Sequence, residues 1–142
     1  MPWWNYVDWT PKWPAGIPPA GPDGALASHN LQLLALQWAA GLEEAFGSKA
    51  RAAEDRLAAA ELAKAVTQGF WSPKRRLFTD KTEGKGASQQ ANVLAVLAGL
   101  VRGEEARGLL ERVLTEPGLV IGIGSSTGPA PGPGMRGRER TS

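Results

Sequence analysis

Apolar residues recur at helical spacing through the centre of the chain. The first such stretch predicts a helix from Ala25 or Ser28 to Phe46, with one face formed by Leu31, Leu34, Trp38, Leu42 and Ala45. The opposite side is also apolar, through Leu33, Leu36 and Ala40. A helix that is apolar nearly all round is buried on most sides. Gly47 is expected to end this helix, and Ser48 to cap the next one.

Three further helices follow the same reasoning. The second is predicted from Lys49 to Phe70, the third from Ser88 to Val101 with Gly103 as its breaker, and the fourth from Glu104 to Thr115. Between the second and third, residues 70–80 read as a tight turn joining two short extended pieces. Short connections make consecutive helices antiparallel neighbours. The centre is therefore predicted to be two helical hairpins.

The two ends of the chain have a different composition. Residues 1–24 are rich in Pro, Gly and aromatic residues and predict an extended loop. Residues 117–142 offer almost nothing to bury, so we expect a disordered Gly/Pro/Arg tail, either a linker or the product of a frame change. We thus expect an all-α fold made by residues 25–116, between a loop at 1–24 and a tail at 117–142.

Charge and cysteine content exclude several classes of function. Of the 16 Lys and Arg, Arg136, Arg138 and Arg140 lie after Glu116, and of the 14 Asp and Glu only Glu139 does, so residues 1–116 carry 13 of each sign. Neutrality gives no support to a nucleic-acid partner. The absence of cysteine excludes disulfides and thiolate metal sites. With neither a signal peptide nor a membrane-length apolar run, we expect no membrane partner and a cytoplasmic location by default.

The tryptophan-rich loop is the main candidate for binding chemistry. Indole faces stack on the C–H faces of sugars, and a nearby carboxylate accepts bonds from sugar hydroxyls. Trp4, Asp8, Trp9 and Trp13 suit that role. The alternative is that these rings pack the loop onto the helix ends, since aromatic side chains dominate core packing.

Catalytic chemistry has weaker candidates. Glycoside hydrolysis needs two placed carboxyl groups, and the acids in loops are Asp8, Asp80 and Glu83. Asp80 and Glu83 also fit a simple polar turn. His29, the single histidine, lies near a helix start and more often makes a local hydrogen bond there than catalyses. We therefore assign no catalytic residue, no metal ligand and no cofactor.

Several segments, taken in order, resemble the catalytic domain of bacterial α-L-rhamnosidases, which have the six-hairpin glycosidase fold. They are Asn5-Tyr-Val-Asp-Trp9, Leu42-Glu-Glu-Ala-Phe-Gly47, Gln68-Gly-Phe-Trp-Ser-Pro-Lys-Arg-Arg-Leu-Phe-Thr-Asp80 and Ala87-Ser-Gln-Gln-Ala-Asn-Val-Leu-Ala-Val-Leu-Ala-Gly-Leu100. Three positions depart from the family pattern. Gln90 stands where histidine is common, Arg76 where glycine is common and Ser72 where aspartate is common. Glycine takes left-handed angles cheaply, so Arg76 is expected to strain its turn.

The resemblance implies part of an (α/α)6 toroid, with Asp8 and Trp9 at the mouth of its central pocket. The implied substrate is a terminal α-L-rhamnoside, hydrolysed with inversion. We expect this chain to lack both catalytic carboxylates, because about two of six hairpins are present, and so to be inactive alone.

Two alternatives remain. One is a helical module that binds a partner helix through an apolar face, and the other is a fragment of a different six-hairpin enzyme. Self-association through exposed apolar helix faces is a further expectation.

Overall fold

The computed structural model describes residues 7, 12–13, 16–18, 20–22 and 24–120. Over these ranges the protein is mainly helical, with four helices and one two-stranded sheet. In chain order they are α1 (Leu26–Phe46), α2 (Lys49–Phe70), β1 (Trp71–Ser72), β2 (Leu77–Phe78), α3 (Gln89–Leu97) and α4 (Gly103–Thr115). This content is compatible with the predicted all-α class, and the short hairpin β1–β2 forms the tight turn that the sequence indicates between residues 70 and 80.

The α1–α2 hairpin has the bounds that its caps predict. Gly47 follows α1, and its backbone N–H donates to the Glu43 carbonyl. The Ser48 hydroxyl then accepts from the Arg51 N–H at the start of α2. One orphan donor of the first turn is satisfied in this way.

Helix α3 is shorter than predicted. It ends at Leu97 rather than Val101, because Gly99 takes φ +75° and closes the helix there. The Gly99 N–H donates to the Val96 carbonyl, and the Leu100 N–H to the Ala95 carbonyl. These two bonds make a Schellman motif, so the stop comes before Gly103, which instead begins α4.

The main core lies where β2, α3, α4 and the ends of α1 and α2 meet. Its fully buried side chains include Leu26, Leu77, Phe78 and Leu109. A smaller cluster fills the space between α1, α2 and the end of α3, through Leu33, Leu34, Ala59 and Ala98. Apolar contact therefore runs along the inner side of α1 and ends at Ala40.

Helix composition alternates along the chain. The only charged residues of α1 are Glu43 and Glu44, and α3 has none. By contrast, α2 and α4 carry charges throughout, at Lys49, Arg51, Glu54, Asp55, Arg56, Glu61, Lys64, Glu104, Glu105, Arg107, Glu111 and Arg112. The composition of α1 and α3 therefore suits helices covered by other elements, and that of α2 and α4 suits helices in contact with water.

The packed part of the chain continues past the predicted boundary at Glu116. Leu119 is buried, and Val120 forms a parallel bridge with Ser88. The Gln89 N–H donates to the Val120 carbonyl at 2.8 Å, which satisfies a donor in the first turn of α3. Of the predicted tail, residues 121–142 lie outside the described residues.

Candidate functional site

The 79–88 loop connects β2 to α3 and also contacts the N-terminal end of α1. The Leu26 N–H, at the start of α1, donates to the Asp80 carbonyl at 3.3 Å. Ser88 caps α3 by accepting from the Ala91 N–H. The predicted polar turn at Asp80 is thus a packed junction between two helices that are far apart in sequence.

Asp80 is a buried carboxyl group. Its Oδ1 accepts from the Ser88 hydroxyl at 2.6 Å. Its Oδ2 is buried without a hydrogen-bond partner among the described residues. Burial raises the pKa of the Asp80 carboxyl above its ordinary value, and the Ser88 bond and the charges of Arg75 and Lys81 offset only part of that rise.

Gly86 closes the space beside this carboxyl. It has φ +69°, and a Cβ there would lie 3.1 Å from Asp80 Oδ2. Glu83, the other loop acid, is exposed, with its Oε1 near Gly21. The two acids therefore occupy different surroundings, one enclosed and one in water.

Two cavities flank His29. The first, of about 470 Å³, lies between the N-terminal loop and α1; its walls include Val7, Ile17, Pro18, Ser28, Leu31 and Ala35. The second, of about 480 Å³, lies between His29 and the end of α2, with Leu62, Val66, Phe70 and Thr82 among its walls. The His29 ring meets the edge of Phe70, with centroids 5.6 Å apart. Neither cavity is lined by an Asp or Glu from the described ranges.

The predicted sugar-binding residues fall largely outside the described residues. Trp4, Asp8 and Trp9 do so, and their roles stay predictions. Trp13 is described, and its indole is only 2% exposed within the main core. In this arrangement the ring packs the loop onto the helices, which is the alternative that the sequence left open, and it presents no free face for stacking.

The positions that depart from the rhamnosidase pattern form the turn of the β1–β2 hairpin and the start of α3. Arg76 has φ 53°, the positive value expected of a glycine at this position. Ser72 closes the turn, since its carbonyl accepts from the Arg76 N–H at 2.7 Å and its hydroxyl accepts from the Arg75 N–H. Gln90 is half-buried in the first turn of α3.

Sequence reasoning missed Asn92, which holds the site together. The side chain is fully buried; its Oδ1 accepts from the Phe78 N–H, and its Nδ2 donates to the carbonyls of Phe78 and Ser88. The available signal was the position itself, because asparagine is unfavourable inside a helix and the rest of α3 is largely apolar.

Membrane-spanning and metal-binding features can be assessed over the same ranges. No helix there is long and apolar enough to cross a bilayer. The described part of the chain also holds no group of three or more acidic or histidine side chains that could bind a metal ion.

The fold defines a structural class, that of helical hairpins in which nearly uncharged helices alternate with charged ones. Comparison with solved structures finds one with a similar fold. The crystal structure of a GH78 family rhamnosidase from Bacillus sp. GL1 is similar over 84% of this chain, with a TM-score of 0.66 and 24% sequence identity. The chain spans 13% of that protein's length. No protein-family model and no curated protein matches the chain. The likeness shows the fold of this segment and supports a distant, partial relationship.

Proposed function

We propose that this chain forms helical hairpins of an (α/α)6 carbohydrate-active domain, and that such a domain acts on terminal α-L-rhamnosides. The observation that carries the proposal is the structural likeness of 84% of the chain to one segment of a rhamnosidase. The order of the rhamnosidase-like segments along the sequence supports it independently.

The alternation of helices supports the toroidal part of the proposal. In a barrel of hairpins, one helix of each pair faces the inside and the other faces solvent. The nearly uncharged α1 and α3 suit the inner position, and the charged α2 and α4 suit the outer one. The N-terminal loop would then lie at the pocket end, since it approaches the start of inner helix α1.

We assign this chain a role in sugar contact and scaffolding, not in proton transfer. Inverting hydrolysis requires one carboxyl group to protonate the leaving oxygen and another to activate water, at roughly 6.5–9.5 Å. Among the described residues, no Asp or Glu lines either cavity, and Asp80 is enclosed against Ser88. In the proposal, Asp8 and Trp9 contact the sugar, with Trp4 as a further stacking ring.

Enantiomeric sugars give a direct test. Amide chemical shifts of the 142-residue chain are measured during titration with L-rhamnose and, separately, with D-rhamnose. We expect shifts near the N-terminal loop with the L sugar only, and their loss in Asp8→Asn and Trp9→Ala. Leu57→Ala is the control, because Leu57 is 63% exposed on α2 and lies outside both cavities. Equal responses to both enantiomers, or none, would overturn the proposal.

A turnover assay tests the division of roles. With an aryl α-L-rhamnoside, the pure chain should release no aglycone above the buffer rate. Release that exceeds it would contradict the assignment of catalysis to residues outside this chain.

The second candidate function is a helical interaction module. The exposed apolar side of α1 favours it, with Trp38, Leu42 and Phe46 at 68%, 62% and 88% exposure. Absence of any rhamnoside response, together with saturable binding of one defined amphipathic helix, would favour this candidate. A response to other sugars in place of L-rhamnose would favour a different six-hairpin enzyme.

A further inference from the structure

One side of α1 carries an apolar stripe that the described residues leave uncovered. Its large side chains are Leu31, Trp38, Leu42 and Phe46, which are 41% to 88% exposed. At 100° per residue these positions fall within a narrow sector of the helix. From Leu31 to Phe46 the stripe is about 22 Å long at 1.5 Å per residue. Exposed apolar patches of this extent mark interaction surfaces.

The stripe has a projecting end and a recessed end. Phe46, at the C-terminal end, is 88% exposed and stands free of the fold. At the N-terminal end, Ser28, Leu31 and Ala35 form one wall of the cavity of about 470 Å³, and Val7, Ile17 and Pro18 form another. Phe46 and this cavity lie on the same side of α1, since positions 28, 35 and 46 differ by 20° or less around the axis, at roughly 100° per residue.

We infer that two copies of this chain pair through α1 in antiparallel orientation, with Phe46 of each copy seated in the cavity beside Leu31 of the other. A two-fold axis requires a self-complementary patch, in which residue i meets residue j and j meets i. If 46 faces 31, then 42 faces 35 and 38 lies near the axis. Phe46 then meets the cavity beside Leu31, and Leu42 meets the small Ala35. This pairing concerns the free 142-residue chain, and it shares the cavity beside the N-terminal loop with the proposed sugar-binding role. In a complete barrel of hairpins, neighbouring hairpins would cover this side of α1 in place of a second copy.

The charges of α1 permit this pairing. Glu43 and Glu44, the only charged residues of α1, pair with Arg51 and Arg56 of α2 within the same copy. Two stripes therefore approach without like-charge repulsion.

Sedimentation equilibrium of the full chain tests the pairing. If the copies pair, the dimer fraction should rise reversibly with protein concentration. Phe46→Glu should weaken the dimer at least tenfold, while Leu114→Glu, on α4 at 75% exposure, should leave it unchanged. Circular dichroism confirms that both variants keep their helices. A monomer at all concentrations, a dimer indifferent to Phe46→Glu, or an open series of larger oligomers would overturn the inference.

Cysteine cross-linking tests the register, because the chain has no cysteine of its own. Under mild oxidation, Ala35→Cys mixed with Leu42→Cys should give a disulfide-linked heterodimer in high yield. Each variant alone should give several-fold less. Preferential self-linking of Ala35→Cys would indicate a parallel arrangement and overturn the antiparallel one.

Discussion

Arg76 is held in a backbone conformation that favours glycine. Its φ of 53° places it in the left-handed region, where an ordinary L-residue pays roughly 1 kcal/mol or more. The Arg76 carbonyl accepts from Arg112 Nε at 3.0 Å, which ties the turn to α4. That bond uses the backbone, so the side chain is not needed for it.

Arg76→Gly should therefore stabilise the protein by about 1 kcal/mol, through relief of this strain. Chemical denaturation measures the change. Lys74→Gly, in the same turn but without a positive φ, is the control and should be neutral or destabilising. A loss of stability in Arg76→Gly would show that the arginine side chain contributes more than its backbone costs.

Asp80 makes stability depend on pH in an unusual direction for an acid. Burial raises its pKa in the folded state above the ordinary 3.8, so the folded protein binds this proton more tightly than the unfolded chain does. The stability that this tighter proton binding contributes is fully present below the pKa of Asp80 in the unfolded chain. It is lost as the pH rises through the folded pKa.

Asp80→Asn removes this titration while keeping an oxygen to accept from Ser88. Relative to wild type, the variant should gain stability as the pH rises from about 4, by about 1.4 kcal/mol for each unit by which the pKa is raised. Urea unfolding across pH 3.5–7.5 measures the difference. Glu83→Gln, at the exposed acid of the same loop, should run parallel to wild type. A pH-independent difference for Asp80→Asn would contradict this account.

At the scale of elements, α3 acts as the edge partner of the β-hairpin. Strand β2 pairs with β1 on one side, and Asn92 of α3 supplies a donor and an acceptor to Phe78 on the other. The exposed edge of a two-stranded sheet is thereby satisfied by a side chain. Buried backbone groups that lose their partners cost about 1–3 kcal/mol each.

Asn92→Ala should accordingly destabilise the protein by roughly 3 kcal/mol, because both the N–H and the carbonyl of Phe78 lose this partner. Leu97→Ala on the same helix, at 66% exposure, should change stability by no more than about 0.5 kcal/mol. Thermal unfolding of the two variants gives the comparison. Equal effects would mean that Asn92 only fills space.

The helices were predictable because their signals are local. The bounds of α2 follow from Ser48 and from Phe70 before the turn. Helix α1 ends at the predicted Phe46 and begins at Leu26, between the two predicted starts at Ala25 and Ser28. The predicted end of α3 is too late, because the sequence alone does not show whether Gly99 or Gly103 ends the helix. The two Schellman hydrogen bonds at Gly99 and Leu100 show that it is Gly99.

The candidate site was less predictable, because it depends on contacts between distant residues. Nothing local to Asp80 shows that Leu26 packs against it, or that Ser88 closes it from water. The burial of Trp13 is also a tertiary outcome.

At the scale of the whole molecule, packing weakens steadily along the α1–α2 hairpin. The main core lies at the end formed by β2, α3 and α4, and the second cluster is small. Beyond Ala40 in α1 and before Ala52 in α2, neither helix has a buried residue. Local opening is cheapest where few apolar contacts are lost.

Amide hydrogen exchange should follow this gradient. In dilute protein, we expect residues 41–51 to be protected at least tenfold less than residues 91–95, whose Ala91, Asn92 and Ala95 are fully buried. Raising the concentration should then slow exchange in the later turns of α1, which the second copy covers, and leave the exposed turns of α2 near Leu57 unchanged. Phe46→Glu should abolish that concentration effect. Uniform exchange along both helices would refute the packing gradient, and a concentration effect confined to α2 would place the contact between copies on the wrong helix.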